Sequence, residues 1–246
     1  MGGNRIDVGS ACSRPQESGC PHRARDPVLH LLSRQDGSGM HAWSEDEDWA
    51  EAGPRREQDV RDTVIRAVEE TPPHLKGRDL LKADWIATPL GAMLAVGDRH
   101  ALHLVEFFDR KALPGELARL RKAARSAIAF GRTAAIDGIE AELAAYFAGR
   151  SPVFATPLAL HGSDFTRQVW QGLRQIPAGI CLSYARLAER LERPSAFRAV
   201  ARANGANPFA IVVPCHRLVG SDGALTGYGG GLWRKRWLIE HEKRWS

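Results

Sequence analysis

The sequence contains no run of about eighteen or more apolar residues, the length that a membrane-spanning helix needs. It also lacks, near its start, the compact apolar segment that is typical of a secretory signal peptide. Cysteine is scarce: the four cysteines stand at positions 12, 20, 181 and 215, too few and too irregularly spaced for a disulfide framework. We therefore expect a soluble, cytoplasmic protein whose thiols are reduced.

The sequence does not predict a metal site either. Cys12, Cys20 and His22 lie near one another, but no fourth ligand follows at a spacing typical of zinc. We expect no metal and no cofactor. The formal net charge of +5 and the pI of about 9.3 are compatible with an anionic partner, such as nucleic acid or an acidic membrane surface, although many basic proteins bind neither.

The sequence divides into three parts. Residues 1–80 are expected to be a flexible extension, because most of them are Gly, Ser and charged residues without a sustained period, and only Val60–Glu70 has helical spacing. Residues 81–155 are expected to form a small α+β domain. Apolar stretches around TPLG and GDRH predict three short antiparallel strands, and two segments with helical spacing follow. A linker that contains prolines, Ser151–Leu160, leads to the last part.

Residues 161–246 have the pattern of helices joined by short connections. SYARLAERLE begins at Ser183, a good N-cap, and SAFRAVARANG ends at Gly205, with Pro194 between the two helices. This pattern is typical of a helix-turn-helix, and equally of a helical hairpin in any helical domain. The pattern alone leaves both interpretations open.

The segment IVVPCHRLVG places Cys215 and His216 behind an apolar run. A neighbouring base can convert a thiol into a nucleophile, but adjacent side chains of a strand lie on opposite faces, so these two meet only if the chain turns after Pro214. Glu240 and Glu242 are both candidates to orient the histidine. Cys215 can equally be a small buried residue, the commoner role of a cysteine among Ile and Val.

Six blocks in a fixed order make the chemical interpretation specific: IPAG, SY, RAVARANGANP, VVPCHRLVG, GALTGYGGGL and RKRWLIEHE. From about Phe165 to Glu242 the sequence resembles the O6-alkylguanine-DNA alkyltransferase family, the methylated-DNA–protein-cysteine methyltransferases. TPLGAMLAVGD and IEAELAAYFAG extend a weaker resemblance back to Asp84. PCHR alone is a weak signal, whereas six collinear blocks are highly specific.

The resemblance implies an α+β fold. It predicts a small N-terminal domain with an antiparallel sheet and helices, ribonuclease H-like, followed by a mainly helical C-terminal domain with a helix-turn-helix, winged-helix-like. It also implies the partner: double-stranded DNA that contains O6-alkylguanine, bound through the minor groove by a monomer. The presence of a cysteine argues against the binding-only members of the family, which carry tryptophan at that position. A helix-turn-helix regulator with a structural cysteine is the other alternative.

The resemblance also implies a DNA repair reaction. Cys215 accepts the alkyl group of a flipped-out O6-alkylguanine, notably O6-methylguanine, irreversibly and once per molecule. In the family, a relay connects the cysteine through the following histidine and an ordered water to a C-terminal glutamate, here His216 and Glu242. Asn207 organises the turn that presents the cysteine.

A base pocket follows from the same resemblance and includes Tyr184, Pro214, Leu218 and Gly229. Tyr184 donates a proton near the ring nitrogen N3 of the leaving guanine. The carbonyl oxygens of Cys215 and Leu218 accept from the exocyclic amine of the base, and the N–H of Gly229 faces O6.

The DNA-binding surface that the resemblance implies lies on the second helix of the predicted pair. Arg198 enters the base stack in place of the flipped nucleotide, and the small Ala196 and Ala199 let the helix approach the minor groove. Ser183 belongs to the same surface. Phe197 departs from the family, in which this position is usually small or modest, so we expect either altered packing against DNA or a second wedge beside Arg198.

Overall fold

The computed structural model describes residues 80–246, together with Asp62, Val64, Ile65, Arg66 and Val68. The predictions for the rest of the N-terminal extension, and the exclusion of Cys12, Cys20 and His22 as metal ligands, lie outside the described residues. Within the described part of the chain, no helix is long and apolar enough to cross a membrane, and no group of His, Cys, Asp or Glu side chains could hold a metal ion.

A four-stranded mixed sheet lies at the start of the described chain. β1 (Leu81–Ile86) pairs antiparallel with β2 (Met93–Gly97), which pairs antiparallel with β3 (Leu102–Phe107), as the sequence predicts. β4 (Ile128–Phe130) adds to β1 in parallel, so the strand order is β3-β2-β1-β4. The prediction of an antiparallel sheet is therefore wrong in this respect. β4 is too short for residue alternation to reveal a strand in the sequence.

The two faces of the sheet carry different elements. One face packs against α1 (Leu113–Ala124), and Val64 and Val68, helical residues of the predicted extension, are fully buried in the same cluster. The other face packs against α2 (Ala134–Phe147) and against the C-terminal helices, in a single hydrophobic cluster. Because this cluster draws on residues from both predicted domains, the sheet forms part of the support for whatever site the C-terminal part holds.

The C-terminal part contains four α-helices: α3 (Asp164–Arg174), α4 (Tyr184–Arg190), α5 (Phe197–Gly205) and α6 (Leu232–Glu242). The hydroxyl of Ser183 accepts a hydrogen bond from the N–H of Arg186 at 3.1 Å and caps α4, as predicted. α4 and α5 pack against each other on either side of a 3₁₀ turn that Pro194 begins. The indole of Trp170 donates to the carbonyl of Ala203 at 2.9 Å and ties α3 to α5.

The chain leaves α5 along the edge of the sheet. The N–H of Val105 in β3 donates to the carbonyl of Pro208 at 2.9 Å, and the N–H of Ala210 donates to the carbonyl of Val105 at 2.8 Å. Ile211 then adopts a φ of 70°, in the left-handed region that β-branched residues rarely occupy. The apolar run before Pro214 is thus a buried turn and not an extended strand, since an apolar run indicates burial but does not specify backbone conformation.

A short two-stranded sheet completes the C-terminal part. β5 (Leu182–Ser183) pairs in parallel with β6 (Leu218–Val219), which follows Cys215 by three residues. This pairing brings the beginning of α4 next to the cysteine turn, although more than thirty residues separate the two in the sequence.

Candidate active site

Cys215 begins a 3₁₀ turn, Cys215–Arg217, directly after Pro214. This is the sharp turn that the sequence analysis required if Cys215 and His216 are to act together. The thiol side chain is 8% exposed, and His216 is fully buried. A buried cysteine therefore lies in a turn next to a buried histidine, and not at the end of an extended strand.

Asn207 holds the turn that leads to the cysteine. Its Nδ2 donates to the carbonyl oxygens of Val213 at 2.8 Å and of Phe209 at 3.2 Å, and its Oδ1 accepts from the N–H of Phe209 at 3.0 Å. These three bonds close the loop around the left-handed Ile211 and offset the strain there. The structure therefore places Asn207 where the sequence analysis expected it, under the turn that carries Cys215.

The thiol of Cys215 is hard to ionise where it lies. Burial raises its pKa to about 11, and the charge of Glu106 acts in the same direction. A hydrogen bond from Asn207 and the positive charges of Arg110 and Lys235 oppose this rise without cancelling it. At neutral pH the thiol is protonated, so a nucleophilic role requires a nearby group that takes up its proton.

Glu242 is the centre of a buried hydrogen-bond network. Its Oε1 lies 2.9 Å from Nε2 of His216 and accepts from the hydroxyl of Tyr146 at 2.8 Å. Arg217 donates to both carboxylate oxygens at 2.8 Å, and the N–H of Gly179 donates to Oε2 at 3.3 Å. With this many donors the carboxylate is fixed in one orientation.

These contacts set the charge states of Glu242 and His216. Burial alone would raise the pKa of Glu242, but the hydrogen bonds from His216 and Arg217 and the positive charge of Arg217 hold it well below its ordinary value. Burial lowers the pKa of His216, and Glu242 opposes the change only in part. A neutral imidazole beside an ionised carboxylate donates through Nε2, which leaves Nδ1 as an acceptor. Nδ1 is buried and has no hydrogen-bond partner among the described residues.

Glu240, the other glutamate that the sequence offered, is not part of this network. Its side chain is 56% exposed and forms an ion pair with Lys243 at 2.7 Å. Glu242, by contrast, is 1% exposed. The structure thus brings His216 together with Glu242 and leaves Glu240 at the surface.

A small pocket, partly open to solvent, lies beside the thiol. It is lined by Glu106, Arg110, Asn204, Gly205, Ala210, Cys215, Gly227, Tyr228, Gly229 and Gly230. Most of the lining comes from the end of α5 and from the GYGGG loop. Two lining residues come instead from β3 and the turn that follows it, in the N-terminal half of the described chain.

The predicted base-pocket residues are not all found in this lining. Gly229 lines the pocket with Cys215, as expected. Tyr184, the first residue of α4, is half-buried and packs against the cluster that contains Cys215 and Leu218. Pro214 and Leu218 flank the cysteine turn and Tyr184 packs against the same cluster, but none of the three lines the pocket.

The predicted DNA-contacting residues lie on an accessible part of the surface, at the starts of α4 and α5. Phe197 and Arg198 are exposed at the start of α5, with the Arg198 guanidinium 5.4 Å from the centroid of the Phe197 ring. Ala196 and Ala199 are partly exposed beside them. Ser183 is partly exposed at the neighbouring end of α4, where its hydroxyl already serves as the N-cap.

Sequence reasoning missed five residues of the site. Arg217 and Tyr228 stand inside blocks that were recognised, PCHR and GYGGG, and Tyr146 stands inside AYFAG, so position within a motif was a usable signal. Glu106 and Arg110 carried no such signal. They are an i,i+4 charge pair at the end of a strand, a pattern that ordinarily indicates a solvated surface.

The described part of the chain is similar to known proteins in both sequence and structure. Residues 164–244 match the family model described as 6-O-methylguanine DNA methyltransferase, DNA binding domain. The methylated-DNA–protein-cysteine methyltransferase of Salmonella typhimurium is 46% identical over 161 residues, which cover 64% of this chain and 92% of the relative. The crystal structure of Mycobacterium tuberculosis O6-methylguanine methyltransferase is 38% identical, with a TM-score of 0.57, and covers 67% of this chain and 93% of the solved chain. That of Mycobacterium tuberculosis OGT in complex with DNA has the same identity and TM-score, with 66% and 92% covered.

Proposed function

This chain belongs to the methylated-DNA–protein-cysteine methyltransferase family, and from that premise we propose that it repairs DNA by transferring the alkyl group of O6-alkylguanine, notably O6-methylguanine, to its own Cys215. One observation carries the proposal: the thiol of Cys215 lines a pocket, next to a buried histidine that contacts a buried glutamate. Membership of the family suggests the reaction, and the geometry supports this assignment of residues to it.

Proton removal from the thiol falls to His216 and Glu242. The neutral imidazole accepts the thiol proton at Nδ1 through an ordered water, while Nε2–H donates to the carboxylate of Glu242. The negative charge of Glu242 stabilises the imidazolium that forms. Tyr146 and Arg217 keep the carboxylate in place during this change.

One bond forms and one bond breaks in the transfer. The sulfur of Cys215 attacks the alkyl carbon, so that an S–C bond forms while the C–O6 bond breaks and its electron pair passes to the purine. Tyr184 donates a proton near N3 of the departing guanine and regains one from solvent. The carbonyl oxygens of Cys215 and Leu218 accept from the exocyclic amine, and the N–H of Gly229 faces O6. The thioether product is not reversed, so each molecule reacts once.

DNA binding involves the exposed start of α5. A guanine inside a duplex cannot reach a buried thiol, so it is flipped out at a cost of a few kcal/mol in lost stacking and pairing. Arg198 fills the space that the base leaves, and the exposed ring of Phe197 beside it acts as a second wedge. The small Ala196 and Ala199 allow close approach to the minor groove, with Ser183 nearby.

The finer architecture belongs to the same proposal. We assign residues 81–155 to a ribonuclease H-like module and residues 161–246 to a winged-helix-like module in which α4 and α5 form the helix-turn-helix. The contact of α4 with α5 across the Pro194 turn supports the second assignment. We further propose that the protein acts as a cytoplasmic monomer, since one chain supplies the thiol, the His216–Glu242 pair and the exposed helix.

The decisive experiment uses duplex DNA whose O6-methylguanine carries a radiolabelled methyl group. We expect one label per protein molecule, located on Cys215 by peptide mapping. Cys181→Ala is the matched control, because it removes the exposed thiol of the described chain and should leave transfer unchanged. Binding of the lesion duplex without stoichiometric transfer would contradict the repair function and favour a binding or regulatory protein.

A further inference from the structure

Arg110 brings a positive charge from the N-terminal half of the described chain to the pocket. It lies in the turn after β3, is 9% exposed and lines the same pocket as Cys215. Its Nη1 donates to the carbonyl of Asn207 at 3.2 Å, and its Nη2 donates to the carbonyl of Gly205 at 2.9 Å. The guanidinium therefore sits between the end of α5 and the turn that presents the thiol.

Two glutamates hold this guanidinium in the pocket wall. Glu106 forms an ion pair with Nη1, and Oε1 of Glu116 lies 2.9 Å from Nη2. Both carboxylates are buried, as a cation at this depth requires. Arg110 is thus rigidly placed, with its two terminal nitrogens engaged by protein groups.

The third nitrogen of the side chain is free. Nε of Arg110 is buried and has no hydrogen-bond partner among the described residues. A buried donor without an acceptor is destabilising, so such a group in a pocket wall points to a ligand that supplies the acceptor. The hydroxyl of Tyr228 and Oδ1 of Asn204, in the same lining, are also buried and unpartnered within the described chain.

The contact of Arg110 with Gly229 indicates where Nε of Arg110 lies relative to the base. A Cβ atom added at Gly229 would lie 2.8 Å from both Nε and Cζ of Arg110, so the guanidinium rests directly against the glycine backbone. In the proposed function, on which this inference rests, the N–H of Gly229 faces O6 of the lesion. N7 is the neighbouring acceptor on that edge of guanine, and arginine at the O6/N7 edge is the commonest specific contact to this base.

We propose that Arg110 is a catalytic residue of the alkyl transfer, whose Nε–H donates to N7 of the flipped O6-alkylguanine while its positive charge lies beside O6. As the C–O6 bond breaks, the electron pair of that bond passes to the purine. The charge-assisted hydrogen bond at N7 stabilises this developing charge before Tyr184 completes the protonation. The contact also favours purines, because O4-alkylthymine has no N7.

The test is a double-mutant cycle that combines a substitution at Arg110 with a change at N7 of the base. Single-turnover transfer is measured with duplexes that contain either O6-methylguanine or 7-deaza-O6-methylguanine, in which N7 is a C–H group. We expect the wild-type protein to react about tenfold more slowly with the deaza base, and Arg110→Gln and Arg110→Lys to react with the two bases at the same rate. Arg119→Gln is the matched control, since this exposed arginine faces Glu116 at 4.0 Å and is absent from the pocket lining. It should behave as wild type.

Each outcome bears on a different claim. If the wild-type protein does not distinguish the two bases, or if the losses from the base change and the Arg110 change multiply, the contact to N7 is disproved while alkyl transfer stands. If the wild-type protein transfers no methyl group to Cys215, the proposed function itself fails. The wild-type comparison requires no variant and so is independent of any folding defect. With O4-methylthymine as substrate, Arg110→Gln should slow transfer less than with O6-methylguanine, and equal losses would indicate a structural role only.

Discussion

Nε2 of His216 lies 2.9 Å from Oε1 of Glu242, although 26 positions separate the two residues in the sequence and both side chains are buried. This contact fixes which nitrogen of the imidazole carries the proton and leaves the other as an acceptor. It gives the imidazole of His216 a defined orientation, as the base of the proposed transfer requires. The predictions that follow test this arrangement and the surface around it.

Removing the thiol should separate transfer from binding. We expect Cys215→Ala to transfer no methyl group, yet to bind duplexes that contain O6-methylguanine with an affinity within about threefold of wild type, because truncation of one small side chain leaves the other pocket groups in place. Labelling and gel-shift titration measure the two properties. Loss of binding along with transfer would indicate that Cys215 has a structural role.

The pH dependence of transfer should depend on Glu242. His216 has a pKa below its ordinary value of 6.5, so in the wild-type protein it is a neutral base and the rate should be constant between about pH 7 and 9. In Glu242→Gln the imidazolium loses its counter-charge, and we expect a rate about tenfold lower at pH 7 that rises with pH. Hydroxide must then ionise a thiol whose pKa burial raises to about 11. Rapid-quench rates across this range provide the measurement, and profiles of the same shape for both proteins would argue against the relay.

The same carboxylate should contribute to acid stability. The folded-state pKa of Glu242 is lowered from its ordinary value of 4.5, so its contribution to the free energy of unfolding is fully present above pH 4.5 and is lost as pH falls below that value. We expect Glu242→Gln to lower the free energy of unfolding by about 3 kcal/mol at pH 7, with the difference from wild type shrinking below pH 4.5. Urea unfolding at several pH values measures this.

Glu240→Gln is the control for that stability measurement. Glu240 is exposed and forms a surface ion pair with Lys243, so its removal should change the free energy of unfolding by no more than about 0.5 kcal/mol at any pH. A loss at Glu242 no larger than this, or one that does not depend on pH, would contradict the role of the buried network.

Arg198 should matter only when a base has to leave a duplex. We expect Arg198→Ala to slow repair of duplex O6-methylguanine by about tenfold or more, with little change for the free base, because only the duplex needs the space of the flipped base to be filled. Arg202→Ala, an exposed arginine one turn further along α5, is the control. At saturating DNA it should have little effect on the rate. Equal losses on duplex and free base for Arg198→Ala would contradict the wedge.

Alkylation should destabilise the protein. The new thioether adds volume at a buried site enclosed by Pro214 and by the turn that Asn207 holds, and overpacking of this kind lowers stability by about 1–3 kcal/mol. For a chain of this length we expect the melting temperature to fall by several degrees, about 2–4 °C per kcal/mol. Thermal melting before and after reaction with O6-methylguanine DNA measures the shift, and an unchanged midpoint would count against it.

Much of the site could be predicted because its residues stand in motifs. Asn207, Cys215, His216 and Glu242 were named from collinear blocks, and the structure brings these four together. Ser183 was named as an N-cap because capping depends on residues only a few positions away. Signals of this kind are local, so the linear sequence carries them without knowledge of the fold.

The apolar run before Cys215 and the parallel strand β4 show where local signals fail. An apolar run can be a buried turn as well as a strand, and only the bonds from Asn207 to Phe209 and Val213 determine that this one turns. β4 is a strand only because β1 is available beside it. Pairing partners, and not local propensity, decide such short elements.

Residue types at fixed spacing identify the family and name Cys215 as the candidate acceptor thiol, so both can be inferred from the linear chain. Which groups share the pocket depends on the tertiary structure. Tyr146 reaches Glu242 across 96 positions, and Arg110 reaches Asn207 across 97. Contacts of that range depend on how the sheet packs against the C-terminal helices, and the same packing removes water from His216 and Cys215 and so sets their pKa values.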